Sequence, residues 1–279
     1  MLGRIALDLT RDANLVGRIH VAIQLAACHN AELIGVCTTP STPQYMYNER
    51  GVPEQVLSVL LDRIVDEITE TKQFFLKKAA ECGVKAQCRV PKGSPEQVLA
   101  LQARFCDLLI MSQTDKAESA SGIPPSVAES VITSAGRPVL MIPYIEIGQH
   151  PIGQRVLFCW DYGRRAARAL ADAAPILRQA SELTILTVNP QPEMLRSQDI
   201  EPYDLLAYCS IHGFPEPKEI HSESKGINVG SLILNAAADH SCDLIVMGLY
   251  NRSRVREWIL GGTSKTLLQS MTVPILVSH

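Results

Sequence analysis

Residues 243–279 read DLIVMGLYNRSRVREWILGGTSKTLLQSMTVPILVSH, and the fold is decided here. Leu244-Ile245-Val246-Met247 is an apolar run of strand length, the pattern of a parallel strand covered on both faces. Gly248 ends it where a Cβ would obstruct anything lying across the strand's carboxyl end. A polar loop with Arg252, Arg254 and Arg256 follows, then Gly261-Gly262-Thr263-Ser264 and a helical pattern from Lys265 to Met271. Pro274 introduces a last strand, Ile275-Leu276-Val277. A Gly-Gly-Thr-Ser turn opening a helix gathers free backbone N–H groups, two hydroxyls and a positive dipole end, the makings of an anion site.

The same phrase occurs earlier. Cys106-Asp107-Leu108-Leu109-Ile110-Met111-Ser112 matches Cys242-Asp243 through Gly248, and Pro138 and Pro274 each stand 31 residues past the aspartate. Ala31-Glu32-Leu33 through Val36 answers Ser181-Glu182-Leu183 through Leu186, and Asp8 answers Asp161. The chain is therefore one module written twice, with residues 1–146 and 154–279 as the expected domains and Tyr144 to Gln154 as the linker.

Strand patterns alternate with helical ones throughout. In the first copy, strands are expected over 4–9, 33–38, 86–90, 107–111 and 138–142. Helices are expected over 13–29, with an apolar face that includes Val16 and Ile19, over 54–82 and over 126–135. Ser94-Pro95-Glu96-Gln97 reads as a capping box opening another. Pro40 to Pro53, with Tyr45, Met46 and Tyr47, reads as a loop. The second copy gives strands over 155–160, 183–188 and 219–222 and a helix near 200–212. Such alternation implies parallel pairing and right-handed crossovers, hence two doubly wound α/β sheets that bind ligands beyond their strands' carboxyl ends.

Composition narrows the class. The chain has 279 residues, 46% hydrophobic and 20% charged, with a net charge of −3. That is a globular chain without the basic field that nucleic acid requires. No run approaches the roughly 18 apolar residues of a membrane helix, and no leader pattern opens the chain, so a cytoplasmic protein is expected. The eight cysteines show no Cys-x-x-Cys and read as reduced core residues. The seven histidines lack ligand spacing, so no metal held by side chains alone is expected. Neither a Walker A loop nor a Gly-x-Ser-x-Gly elbow is present.

Gly248, two residues, Asn251, nine residues, then Gly261-Gly262-Thr263 resembles the nucleotide motif of the universal stress protein family. The family's second glycine is here Asn251, the non-glycine residue that best tolerates a left-handed conformation. The resemblance covers essentially the whole chain, as a tandem two-module, Rossmann-like member. It implies a stress-response regulatory protein that binds ATP, with Mg²⁺ as a compatible companion. It places Asp161 near the adenosine and metal edge and gives Val188 (or Thr187) backbone groups for adenine. Met247 and Gly248 would flank base and ribose; Asn251, Gly261, Gly262, Thr263 and Ser264 would line the phosphates. It also implies that the terminal strands, 138–142 and 275–277, pair the two modules within one chain, with a homodimer of whole chains allowed but not required. Asp161 on its own reads equally as the cap of the following helix.

The first copy departs from this motif. Aligning Pro138 with Pro274 puts Ser112 at Gly248, Asp115 at Asn251, Pro125 at Gly261 and Ser126 at Gly262. Each change disfavours phosphate, so one nucleotide per chain is expected. With no general base or paired carboxylates evident, the expectation is a binding protein with at most slow ATP hydrolysis. The rival is a nucleotide-free interaction module or small-molecule binder on the same fold.

Overall fold

The computed structural model describes residues 1–38, 54–113, 126–145, 151–190, 201, 203–249 and 262–279. Tyr45, Met46, Tyr47, Asp115, Pro125, Asn251, Gly261 and the three loop arginines lie outside them. The chain divides into two compact units, one over Leu2–Arg137 and one comprising Pro138–Pro143 and Ile147–His279.

In the first unit the order is β1 (Arg4–Asp8), α1 (Leu15–His29), β2 (Glu32–Val36), α2 (Glu54–Glu81), β3 (Ala86–Arg89), α3 (Pro95–Ala103), β4 (Leu108–Ser112) and α4 (Ser126–Ser134). Its strands run β3-β2-β1-β4, each adjacent pair parallel. β4 is buried at every position, as its unbroken apolar run requires. α2 ends in a C-terminal turn around Gly83 (φ 69°), where the Val84 amide reaches the Ala79 carbonyl at 2.9 Å. α3 starts at the expected residue without the expected box. Ser94 makes no side-chain cap bond and its Oγ is buried without a partner, and Pro95 has no first-turn N–H to satisfy.

The second unit contains β5 (Val139–Ile142), β6 (Arg155–Cys159), α5 (Arg164–Leu177), β7 (Glu182–Val188), α6 (Tyr203–Ile211), β8 (Pro217–Ser222), α7 (Val229–Asp239), β9 (Leu244–Gly248), α8 (Gly262–Ser270) and β10 (Ile275–Ser278). The strand order is β5-β10-β9-β6-β7-β8. All described pairs are parallel except β5 with β10, where Leu140 faces Leu276 and Val139 faces Val277 in antiparallel register. Strand β5 thus packs with the second half although it ends the first copy in sequence.

The repeated aspartate has a structural task in each unit. Asp107 Oδ2 accepts from the amides of Gly3 and Arg4 at 2.7 and 3.0 Å. Asp243 accepts from Gly153 at 2.6 Å, Gln154 at 3.1 Å and Arg155 at 3.0 Å. Each carboxylate satisfies the N–H groups at the start of a strand, β1 for Asp107 and β6 for Asp243, each the first strand of its sequence copy. All eight cysteines are unbridged. Among the described residues no helix is long and apolar enough to cross a membrane, and no group of three metal-ligating side chains converges.

Candidate functional site

In the second unit the chain runs outward from β6 through β7 to β8, then returns to place β9 on the other side of β6. The switch in strand order lies between β6 and β9, where an open sheet leaves a crevice at the strands' carboxyl ends. Cys159 is in register with Met247 on one side and Leu186 on the other, so Asp161, Val188, Met247 and Gly248 reach a common edge. The chain leaves β9 at that edge, so the helix that returns toward β10 begins there with Gly262-Thr263-Ser264.

These residues differ in what they present. Asp161 is exposed, and its Oδ1 accepts from the Gly163 amide at 2.9 Å. The cap of α5 is Gly163 itself, so Asp161 braces the turn before the helix. Met247 is buried and Val188 half-buried at their strand ends. A Cβ on Gly262 would meet nothing within 4 Å, Thr263 is partly exposed and Ser264 is buried. The first turn of α8 carries no acidic residue to oppose an anion. The start of α8 is seated on α7: the Thr263 carbonyl oxygen lies 2.9 Å from where a Gly230 Cβ would stand.

Two buried polar atoms on the strands beside β9 have no partner among the described residues: the Trp160 indole N–H, just past β6, and the Ser278 hydroxyl, in register with Gly248. Buried donors and acceptors are nearly always paired, so this edge retains hydrogen-bonding capacity that the chain does not use. Trp160 lies between Phe158, tilted to it at 5.7 Å between ring centroids, and Tyr162, edge-on at 5.4 Å. Gly248 is itself covered by protein. A Cβ there would come within 2.5 Å of the Arg165 carbonyl carbon and 2.7 Å of the Ala166 amide nitrogen. The space that the missing Cβ leaves is used by the first turn of α5.

The first unit closes the equivalent edge differently. Arg18, fully buried on α1, donates from Nε to the Asp8 carbonyl at 2.7 Å. Its terminal nitrogens reach the Asp12 carboxylate at 2.7 Å, the Thr10 carbonyl at 2.5 Å and the Ser112 hydroxyl. Ser112, aligned with Gly248, thus spends its side chain on an internal guanidinium. Asp8 is buried and accepts from the Thr10 amide and hydroxyl at 2.9 and 2.7 Å. Burial pushes its carboxyl above the usual range, although Arg18 opposes the shift. Sequence reasoning missed Arg18 and put Val16 on the buried face; Val16 is 63% exposed and Arg18 takes the inward position. The available signal was a cation three residues after Leu15 and four before Ala22, on the apolar side of the helix.

Beside this network lies a cavity of about 250 Å³. Leu9, Thr10, Cys37 and Thr38 wall it at the ends of β1 and β2, and Ile64, Ile68 and Thr71 cover it from α2. Aliphatic and hydroxyl side chains make up most of the lining, and Arg11 and Glu67 add one charge of each sign.

Two tandem α/β modules, each with a mostly parallel sheet and a switch in strand order, define a Rossmann-like class of protein. The universal stress protein family model matches residues 9–143 and again 153–279, and the chain belongs to that family. Among solved structures, a universal stress protein from Archaeoglobus fulgidus DSM 4304 is similar at 18% identity and TM-score 0.75, over 99% of this chain and 97% of that one. A protein of unknown function from Pseudomonas aeruginosa PAO1 is similar at 16% identity and TM-score 0.60, over 99% and 92%. Another universal stress protein, solved in complex with cAMP, aligns at 21% identity and TM-score 0.37 over 50% of this chain and 97% of its own. Among curated proteins none matches the chain in sequence.

Proposed function

We propose that this is a regulatory protein of the stress response, cytoplasmic, which binds ATP with Mg²⁺ in its second module and leaves the first without nucleotide. The observation that carries the reading is the start of α8: Gly262 has open space around its Cβ position, hydroxyl residues follow, and no acidic residue stands in the first turn. Phosphate oxygens suit such an N-terminus, and the sequence motif adds Gly261 and Asn251 to the residues expected to meet them. Trp160 Nε1 and Ser278 Oγ, buried and unpaired, add donors at the same edge. The exposed Asp161 carboxylate would serve a metal ion, and Val188 would offer strand-end backbone to the base. Met247 and Gly248 form the floor between them. Residues 1–146 and 154–279 are the two modules. The sequence pairs the motif with no evident general base or second-metal carboxylates, which supports binding with at most slow hydrolysis.

The arrangement around Arg18 supports one nucleotide per chain. In the first module a guanidinium already uses the serine that replaces Gly248. Titration of purified protein with ATP and Mg²⁺ in a calorimeter tests both points: a stoichiometry near one is expected. A value near two refutes the division of labour, and no heat with no nucleotide in native mass spectra refutes ATP binding altogether.

A second reading, a nucleotide-free small-molecule binder, draws on one observation. The room at Gly248 is occupied by the Arg165 and Ala166 backbone. Absence of nucleotide together with saturable binding of an uncharged ligand in the first module's cavity would favour it.

A further inference from the structure

One wall of the first unit's cavity carries sulfur chemistry that nucleotide binding does not use. Cys37 follows β2 and Cys88 lies on β3. Gly35 is in register with Cys88, which puts Cys37 two residues further along the same sheet face. The two Sγ atoms are 3.6 Å apart. Cys37 is only 2% exposed but forms part of the cavity wall, and Cys88 is half-buried. Cys37 thus faces the cavity, and the half-buried Cys88 keeps partial access to solvent on the outermost strand.

We propose that Cys37 and Cys88 are a reversible oxidation site, a dithiol that a hydroperoxide converts to a disulfide across β2 and β3. Cys88 is the attacking sulfur. Cys88 is the more exposed of the two, and its contact with the Cys37 sulfur and the positive field of the Lys72 ammonium hold its thiol below the ordinary range against the effect of burial. Cys37 is held above the ordinary range by the same contact and by burial, so it remains the protonated donor.

The Cys88 thiolate attacks the outer peroxide oxygen. An S–O bond forms, the O–O bond breaks, and the alkoxide leaves as alcohol after taking a proton. Cys37 sulfur then attacks Cys88 sulfur. The S–S bond forms, the S–O bond breaks, and hydroxide departs as water with the Cys37 proton. Two thiols lose two electrons, and the hydroperoxide gains them.

Bond formation requires the sulfurs to approach from 3.6 Å to about 2.0 Å. The strands already share a ladder, with the Cys37 amide 2.9 Å from the Arg89 carbonyl, so the approach comes from rotation of the two side chains and a slide of β3, outermost in the order β3-β2-β1-β4, along β2. The Cys37 sulfur then leaves its place in the cavity wall. The cavity's shape is thereby set by redox state.

The test is peroxide treatment of the reduced full chain, alkylation without reduction, and peptide mapping by mass spectrometry. Wild type should lose the mass of two hydrogens and yield one cross-linked peptide joining Cys37 to Cys88, reversed by a dithiol reductant. Cys37→Ser should stop at a sulfenic acid on Cys88 that a dimedone probe traps. Cys88→Ser should slow peroxide consumption at least about tenfold. The solvent-exposed Cys28 and Cys82 serve as internal controls in the same map. The proposal is overturned if both thiols stay fully alkylatable after Cys28 or Cys82 has been oxidised, or if the cross-link joins other cysteines. Because the wild-type map decides the matter, a variant that folds poorly does not shelter the idea.

Discussion

Gly248 lies directly against Arg165: a Cβ on the glycine would stand 2.5 Å from the arginine's carbonyl carbon. Backbone cannot rotate away as a side chain can, and the helix is held by its own buried face of Ala166, Ala169, Leu170 and Ala173. Gly248→Ala should therefore destabilise the chain by about 1–3 kcal/mol through overpacking. Urea unfolding measures it. An unchanged midpoint would mean that α5 moves freely over the strand end, and that the glycine is kept for a ligand alone.

The counterpart in the first unit is a buried charge with its partners. Arg18→Met leaves the Asp8 and Thr10 carbonyls, the Ser112 hydroxyl and the Asp12 carboxylate short of a donor. The expected loss is about 3–5 kcal/mol. Ser112→Ala removes one bond to the same charge and should cost less, about 1.5–3 kcal/mol. Reversal of that order in denaturant titrations would contradict the network.

Asp8 gives the network a pH signature. Its carboxyl titrates above the ordinary 3.8 because it is buried. A folded-state value above the unfolded one means that the protonated form favours folding. That contribution is complete below about pH 3.8 and is lost as pH rises through the folded value. Asp8→Asn keeps an acceptor for Thr10 and removes the charge. The variant should gain stability relative to wild type between acid and neutral pH, read from thermal midpoints. A difference that stays constant with pH would refute the assignment.

Asp243 ties three consecutive amides, Gly153 to Arg155, to the start of β9. Asp243→Ala leaves them without their acceptor and should cost at least about 2 kcal/mol, with loss concentrated in the second unit. Hydrogen exchange of β6 amides reports the locality. Uniform protection across residues 155–159 would count against it.

For the phosphate reading, Gly262→Asp is the informative change. Its Cβ meets nothing, and an acidic residue at a helix start favours the helix, so folding should be unaffected or slightly improved. ATP affinity should fall at least about tenfold from charge repulsion and lost N–H contacts. Full affinity in calorimetry would move the phosphates away from α8.

The sequence alone determined the class. Two Cys-Asp-apolar runs at matching distance from two prolines can only be a module repeated, and alternation of period-2 and period-3.6 segments can only be a parallel open sheet with crossovers. It also located the edge, because Asp161, Val188 and Gly248 each close an apolar run at the end where the chain leaves its strand. What it did not decide were properties of contact. The glycine at 248 reads as room for a ligand until α5 is seen filling that room, since a Cβ's neighbours come from 83 residues away in the chain. The repeated aspartate reads as a marker until its carboxylate is seen on amides 88 to 90 residues distant. Arg18, Ser112 and Asp8 are far apart or unremarkable in sequence; only folding brings one guanidinium among them and closes the first crevice. Cys37 and Cys88 stand 51 residues apart, and only the β2–β3 register puts their sulfurs in contact. Periodicity is local and survives in the sequence, whereas complementarity between distant side chains exists only once the strands are in register and the helices are docked.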